Sequence, residues 1–328
     1  MKYPSLVNQQ NIKVGVTAMS AGVGKYLDEY KKSISNLEKN GLSIIETANV
    51  RKNSNPSSDA KTRAEELDRL ILDKDVDMIL NASGGDFLLE MLQYVNFENI
   101  KNNPKLVMGS SDATGVLFPI TTMLDIATIY GFNASSYDQE NLHESQYNSI
   151  EIMKGNLIEQ NSFDKYEIEK QDRTISYNLT ENVFWETING NVDIKGRIIG
   201  GCIDCIRNLI GTKYDYTKEF IEKYKEDGII WYFDNFALNV EDFYLTLIQF
   251  KEAGWFNYTK GVVVGRVKYP SGFTDLTYQD ALKKALGDIP IIFNADIGHV
   301  VPKMTIINGS IAHITSKDGK GKIELEME

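Results

Sequence analysis

Mainly apolar runs of strand length alternate with amphipathic stretches through the first third of the chain. Residues 12–18, 42–47, 76–80 and 105–108 read as strands. Between the first two, Tyr26, Tyr30, Ile34 and Leu37 recur at helical spacing and the pattern stops at Gly41. A charged helix is expected over 58–72, with Ala64, Leu67 and Leu70 on one side, and further helices over 86–94 and 113–130. Strand–helix alternation with short connections predicts an α/β fold whose parallel sheet is covered on both faces. Ligands of such a sheet sit at the carboxyl ends of its strands.

The pattern weakens over 133–191, which is polar and has only short apolar runs. Order then returns. Strands are expected over 194–199, 228–233, 261–265 and 289–293, and helices over 202–210 and 240–253. The tail alternates apolar and polar positions, with Gly309 and Asp318-Gly319 placed to make hairpin turns. The expected division is a first domain over 1–150, a crossover linker over 151–190 and a β-rich domain over 191–328.

Composition narrows the function classes. Across 328 residues, acidic side chains outnumber basic ones 46 to 35, a net charge of −11. That argues against a general nucleic-acid or anionic-membrane surface. No run approaches the ~20 apolar residues of a membrane span, and the first residues lack the apolar core of a signal peptide, so a cytoplasmic protein is expected. The two cysteines, Cys202 and Cys205, form one C-x-x-C. A structural metal would want further ligands, and the three histidines are scattered. No metal or organic cofactor is expected, and G-x-G-x-x-G is absent.

Gly109-Ser110-Ser111-Asp112-Ala113 follows the fourth strand. Small residues two before and two after Ser111 permit the sharp turn of a nucleophile elbow, and the Asp112 amide would face a developing oxyanion. A plain helix N-cap at Ser111 is the alternative. Ser83-Gly84-Gly85-Asp86, after the third strand, offers bare amides, with Gly85 as a second oxyanion donor; an ordinary strand-to-helix loop needing positive φ explains it equally. A serine nucleophile needs a base. His299 lies just after a buried strand beside Gly298, whereas His143 sits in a polar segment and His313 in the tail. Asp234, at the end of a very apolar strand, and Asp296 compete to orient the imidazole.

Taken in order, these segments resemble the serine LD-carboxypeptidases, which include muropeptide LD-carboxypeptidases and microcin C self-immunity peptidases. Gly84-Gly85-Asp86, Gly109 to Thr114, Gly196 to Gly201, Ala253-Gly254-Trp255-Phe256 and Gly298-His299 carry the resemblance. It implies a Rossmann-like N-terminal domain holding the nucleophile Ser111. A smaller β-rich C-terminal domain would hold the general base His299, and the Gly85 and Asp112 amides would form the oxyanion hole. It also implies a homodimer, a small peptide or peptide–nucleotide substrate, and no cofactor. The chain departs twice. The family's triad glutamate is Asp234 here, shorter by about 1.5 Å of reach, and an asparagine of the family is Cys202. Asp86 and Cys202 are carried over as substrate contacts. Trp185 stands near the stacking aromatic of the microcin-type members, with interdomain packing as its alternative. The expected activity is hydrolysis of an L,D-peptide bond to a C-terminal D-amino acid. The alternatives are hydrolysis of an aminoacyl- or peptidyl-nucleotide, and non-catalytic peptide binding.

Overall fold

The computed structural model describes residues 1–5, 11–168 and 175–327. Five strands run parallel in the first sheet: β1 (Ile12–Thr17), β2 (Leu42–Glu46), β3 (Met78–Asn81), β4 (Leu106–Gly109) and β5 (Thr128–Tyr130). Their order is β2-β1-β3-β4-β5. The direction of winding reverses between β1 and β3, and the crevice outside their carboxyl ends is where such sheets take ligands. The loops after β1, β3 and β4 all open there.

The later part of the chain builds a second sheet. Its strands are β6 (Gln160–Asn161), β9 (Glu186–Ile188), β10 (Val192–Cys202), β11 (Ile229–Asp234), β12 (Thr259–Gly265), β13 (Ile291–Ala295), β15 (Ile311–Lys317) and β16 (Lys320–Glu326). The four strands from β10 to β13 are parallel and almost wholly buried; β15 and β9 flank them antiparallel, and β16 and β6 continue beyond β15, each antiparallel to its neighbour. A ribbon of β7 (Lys165–Tyr166) and β8 (Glu181–Asn182) stands apart. The stretch expected to be a linker thus supplies an edge strand at each end of this sheet; its residues 169–174 lie outside the described residues. No described helix is long and apolar enough to cross a membrane.

Three local expectations are corrected. The helix expected over 113–130 stops at Leu124, where Asp125 turns left-handed (φ 61°). The β-branched pair Thr128-Ile129 then extends as β5, with Ile129 opposite Met108 on β4. The expected helix over 86–94 is a 3₁₀ helix, Leu88–Tyr94. Gly309 does not close a hairpin. It is the point where the chain changes sheets: β14 (Ile306–Asn308) pairs antiparallel with β5 in the first sheet, and β15 pairs with β10 in the second.

Trp185 is also corrected as an exposed stacking platform. Its side chain is fully buried, its indole Nε1 donates to Asp296 (2.9 Å), and its ring packs against the backbone of Gly321, where an added Cβ would lie 1.9 Å away. An indole filling that space is core. Trp185→Ala is therefore expected to destabilise the fold by about 3–5 kcal/mol in denaturant unfolding; a loss below about 1 kcal/mol would contradict the packing role.

Candidate active site

The turn after β4 has the constraint that its small residues suggest. Ser111 is left-handed (φ 60°), and a 3₁₀ turn, Ser111–Ala113, leads into the helix Thr114–Leu124. A β-carbon on Gly109 would come within 2.7 Å of the Ala113 Cβ and 2.9 Å of the Asn81 Cβ, so no larger residue fits there. Ser110, extended, takes the N-cap position of this turn, so the plain N-cap expected as the alternative at Ser111 lies one residue earlier. The Ser111 amide donates to the hydroxyl of Tyr130 (3.2 Å).

The glycine loop after β3 lies against this turn. An added Cβ on Gly84 would sit 3.3 Å from Ser111 Oγ. Gly85 has φ 153°, and a Cβ there would strike Ser20 Oγ at 2.2 Å. Ser20 in turn donates to the Asp112 carboxylate (2.5 Å), which also accepts the Leu88 amide (2.9 Å). Burial pushes the Asp112 carboxyl above the usual carboxylate range, against these hydrogen bonds. The Asp112 side chain thus fastens the glycine loop to the serine turn. Asp86, exposed and accepting from Asn55 (2.5 Å), does not line the cleft; its expected substrate contact is corrected to a rim hydrogen bond.

Asp234 ends β11 with its carboxylate fully buried. One oxygen, Oδ2, lies 2.7 Å from His299 Nδ1 and accepts the hydroxyl of Tyr130; the other accepts the His299 amide (3.2 Å). The imidazole contact is close but off the line of a full hydrogen bond. Burial alone would raise this carboxyl; His299, Tyr130 and Lys303 outweigh it and hold it below the ordinary range. Gly298, at φ 105°, is needed here, because a Cβ would lie 2.2 Å from Asp234 Oδ1. Asp296 belongs to another network: buried, it pairs with Arg266 (2.7 Å) and accepts the Trp185 indole.

Ser111, His299 and Lys303 line one cleft of about 550 Å³, with Phe132, Phe236 and Gly85. The His299 ring lies 4.5 Å from that of Phe236. Lys303 is buried, its ammonium 4.8 Å from the Phe132 ring centre, and among the described residues it is the one lysine or arginine in the lining. His143 instead caps the helix Glu144–Met153, and His313 pairs with Asp193 and Glu324 on the surface of the second sheet. Cys202 is buried and is not in the lining; the expected substrate contact is corrected to a place behind the site, because its amide is tied to Thr114 Oγ1 (3.1 Å). Cys202, Asp234 and His299 bring one donor atom each within 4.8 Å of one another, but the last two are engaged with each other.

Tyr130 and Lys303 escaped sequence reasoning. Tyr130 fell inside the helix expected over 113–130. Lys303, four residues after His299, carried only the signal of a cation near a candidate base.

Similarity to known proteins follows both sheets. YocD, a candidate carboxypeptidase of Bacillus subtilis, is 27% identical over 294 residues, 87% of this chain and 86% of that one. The solved MccF-like protein of Bacillus anthracis superposes with a TM-score of 0.86 at 22% identity over the whole of both chains. An MccF-like protein of Streptococcus pneumoniae, solved with AMP, superposes at 0.80 and 25% identity, covering 96% of this chain and 99% of that one. Residues 14–131 match the LD-carboxypeptidase N-terminal domain and residues 195–314 its C-terminal domain. With both halves matched, the chain belongs to the LD-carboxypeptidase family and is a serine peptidase-type hydrolase.

Proposed function

We propose that the chain is a serine carboxypeptidase that hydrolyses the bond between an L-configured centre and a C-terminal D-amino acid. The observation that carries this reading is the left-handed Ser111 sharing a cleft with His299, whose ring is backed by a buried carboxylate. Ser111 Oγ attacks the carbonyl while His299 takes its proton and returns it to the leaving amine. Asp234 orients the imidazole and stabilises its charged form. The Gly85 and Asp112 amides receive the oxyanion. Water then attacks the acyl-enzyme with His299 again as base. Lys303 supports the carboxy-terminal preference: a buried ammonium suits the free carboxylate of the leaving residue. A second reading, cleavage of an aminoacyl-nucleotide, draws on the aromatic faces of Phe132 and Phe236 in the lining.

Mass spectrometry of an L-Ala-D-Glu-diamino acid-D-Ala tetrapeptide incubated with the protein is expected to show loss of one D-Ala. Ser111→Ala should slow this at least about a thousandfold. Turnover of an aminoacyl-sulfamoyl adenosine but not of the tetrapeptide would transfer the assignment to the second reading. Turnover of neither would leave a binding protein.

Lys303→Ala should raise KM about ten- to a hundredfold, with a smaller effect on kcat. An unchanged KM would remove Lys303 as the carboxylate anchor.

Tyr130→Phe tests the support of Asp234. The folded carboxyl lies below its unfolded value of about 3.9. Its contribution to stability is therefore present above that value and lost as pH falls through the folded one. Without the phenol, burial is less opposed, and the loss should begin at higher pH in unfolding curves measured from neutral to acid. Superimposable pH profiles for the two proteins would show that Tyr130 does not hold the carboxylate.

A further inference from the structure

The C-x-x-C pair takes no part in the proposed hydrolysis, yet it lies between the two halves of the site. Cys202 ends β10 and opens the short helix Ile203–Ile206, and Cys205 follows one turn later. Three residues apart across the first turn of that helix, with Cys202 as its N-cap, the two side chains are neighbours on one face. Cys202 Sγ lies within 4.8 Å of an Asp234 oxygen and a His299 ring nitrogen. Cys205 Sγ faces the Ser111 carbonyl (3.7 Å) and the Asp112 carboxylate (3.8 Å). Cys202 is buried, whereas Cys205 is partly exposed. One sulfur therefore meets the nucleophile turn and its neighbour lies within 4.8 Å of the acid–imidazole pair.

We infer that Cys202 and Cys205 form a dithiol–disulfide site, closed by exchange with a low-molecular-weight disulfide and mechanically coupled to Ser111. The exchange balances in two displacements. The Cys205 thiolate attacks one sulfur of the reagent, forms a mixed disulfide and expels one thiolate. The Cys202 thiolate then attacks the Cys205 sulfur, forms the internal disulfide and expels the second thiolate. The protein loses two protons and two electrons, and the reagent is reduced to two thiols. Transient disulfides of this kind are the ones found in reducing compartments.

The surroundings set the rate. For Cys202, the contact with Cys205 and burial both push the thiol up. For Cys205, the contact with Cys202 pulls down, but burial and the nearby carboxylates Asp112, Asp204 and Asp234 win. Both thiols stay protonated at neutral pH, so closure is slow there and speeds up in mild alkali. Closure brings the two sulfurs to a bond of about 2.05 Å and draws Cys205 from its contacts with Ser111 and Asp112. A displacement of about 1 Å at a reacting group can cost about a hundredfold in rate. The loss of hydrolysis rests on the proposed function; formation of the disulfide does not.

The test uses the full chain, reduced and then exposed to oxidised glutathione in mild alkali. Intact mass reports the bond, and labelling of Ser111 by a fluorophosphonate reports the nucleophile without any peptide substrate. The expected result is loss of two hydrogens and labelling at least about tenfold slower, both reversed by dithiothreitol. Cys205→Ser should form no internal disulfide and keep its labelling rate under oxidant. An unchanged mass, or a glutathione adduct that never resolves, would overturn the site. A closed disulfide with unaltered labelling would overturn the coupling. Reduced protein that takes no label and cleaves no tetrapeptide would count against the hydrolase reading, while the mass still decides the disulfide.

Discussion

A carboxylate without water needs partners, and Asp234 draws on three kinds at once. Burying such a charge unpaired is prohibitive. Tyr130 reaches it from the first sheet, and the ring and amide of His299 reach it from the loop after β13. Because the Tyr130 hydroxyl also accepts the Ser111 amide, one short chain of polar contacts runs from the serine turn to the imidazole. The register between the two sheets is thereby tied to the geometry of the site. Gly298 is the cost of bringing backbone so close to that carboxylate, since a β-carbon would overlap it.

A second buried carboxylate, Asp112, shows how environment divides like residues. Asp234 meets an imidazole, a phenol and a nearby ammonium, and its carboxyl is held low. Asp112 meets a hydroxyl, an amide and a neighbouring carboxylate, and burial lifts it. The first suits a charge that steadies another charge. The second suits a fastening between loops, where Ser20, Gly85 and the serine turn close on one another. Each sheet thus contributes one aspartate, Asp112 just after β4 and Asp234 at the end of β11.

All the parallel strands of both sheets except β5 were legible because each is a compact apolar run bounded by turn residues. The serine turn was legible because Gly109 and Ala113 are forced to be small. What sequence concealed was long-range. Nothing local says that Thr128-Ile129-Tyr130 leaves the helical pattern to pair with β4, so Tyr130 was hidden with it. Trp185 reads as a candidate platform until the Gly321 backbone is seen against its ring. Asp296 and Asp234 are equivalent in sequence, three and 65 residues from His299, and only the partners Arg266 and Trp185 separate them.

The change of sheets at Gly309 has a consequence for the order in which the molecule is made. Strand β14, which completes the first sheet beside β5, is synthesised after almost every other element, and His299 only a few residues before it. A nascent chain emerging from the ribosome can form β1 to β5 and the serine turn early, but it has neither the imidazole nor the last edge strand. The pairing of His299 with Asp234 therefore forms only after the strands that carry Ser111 and Asp234 have been made, and until then the serine turn stands without an imidazole.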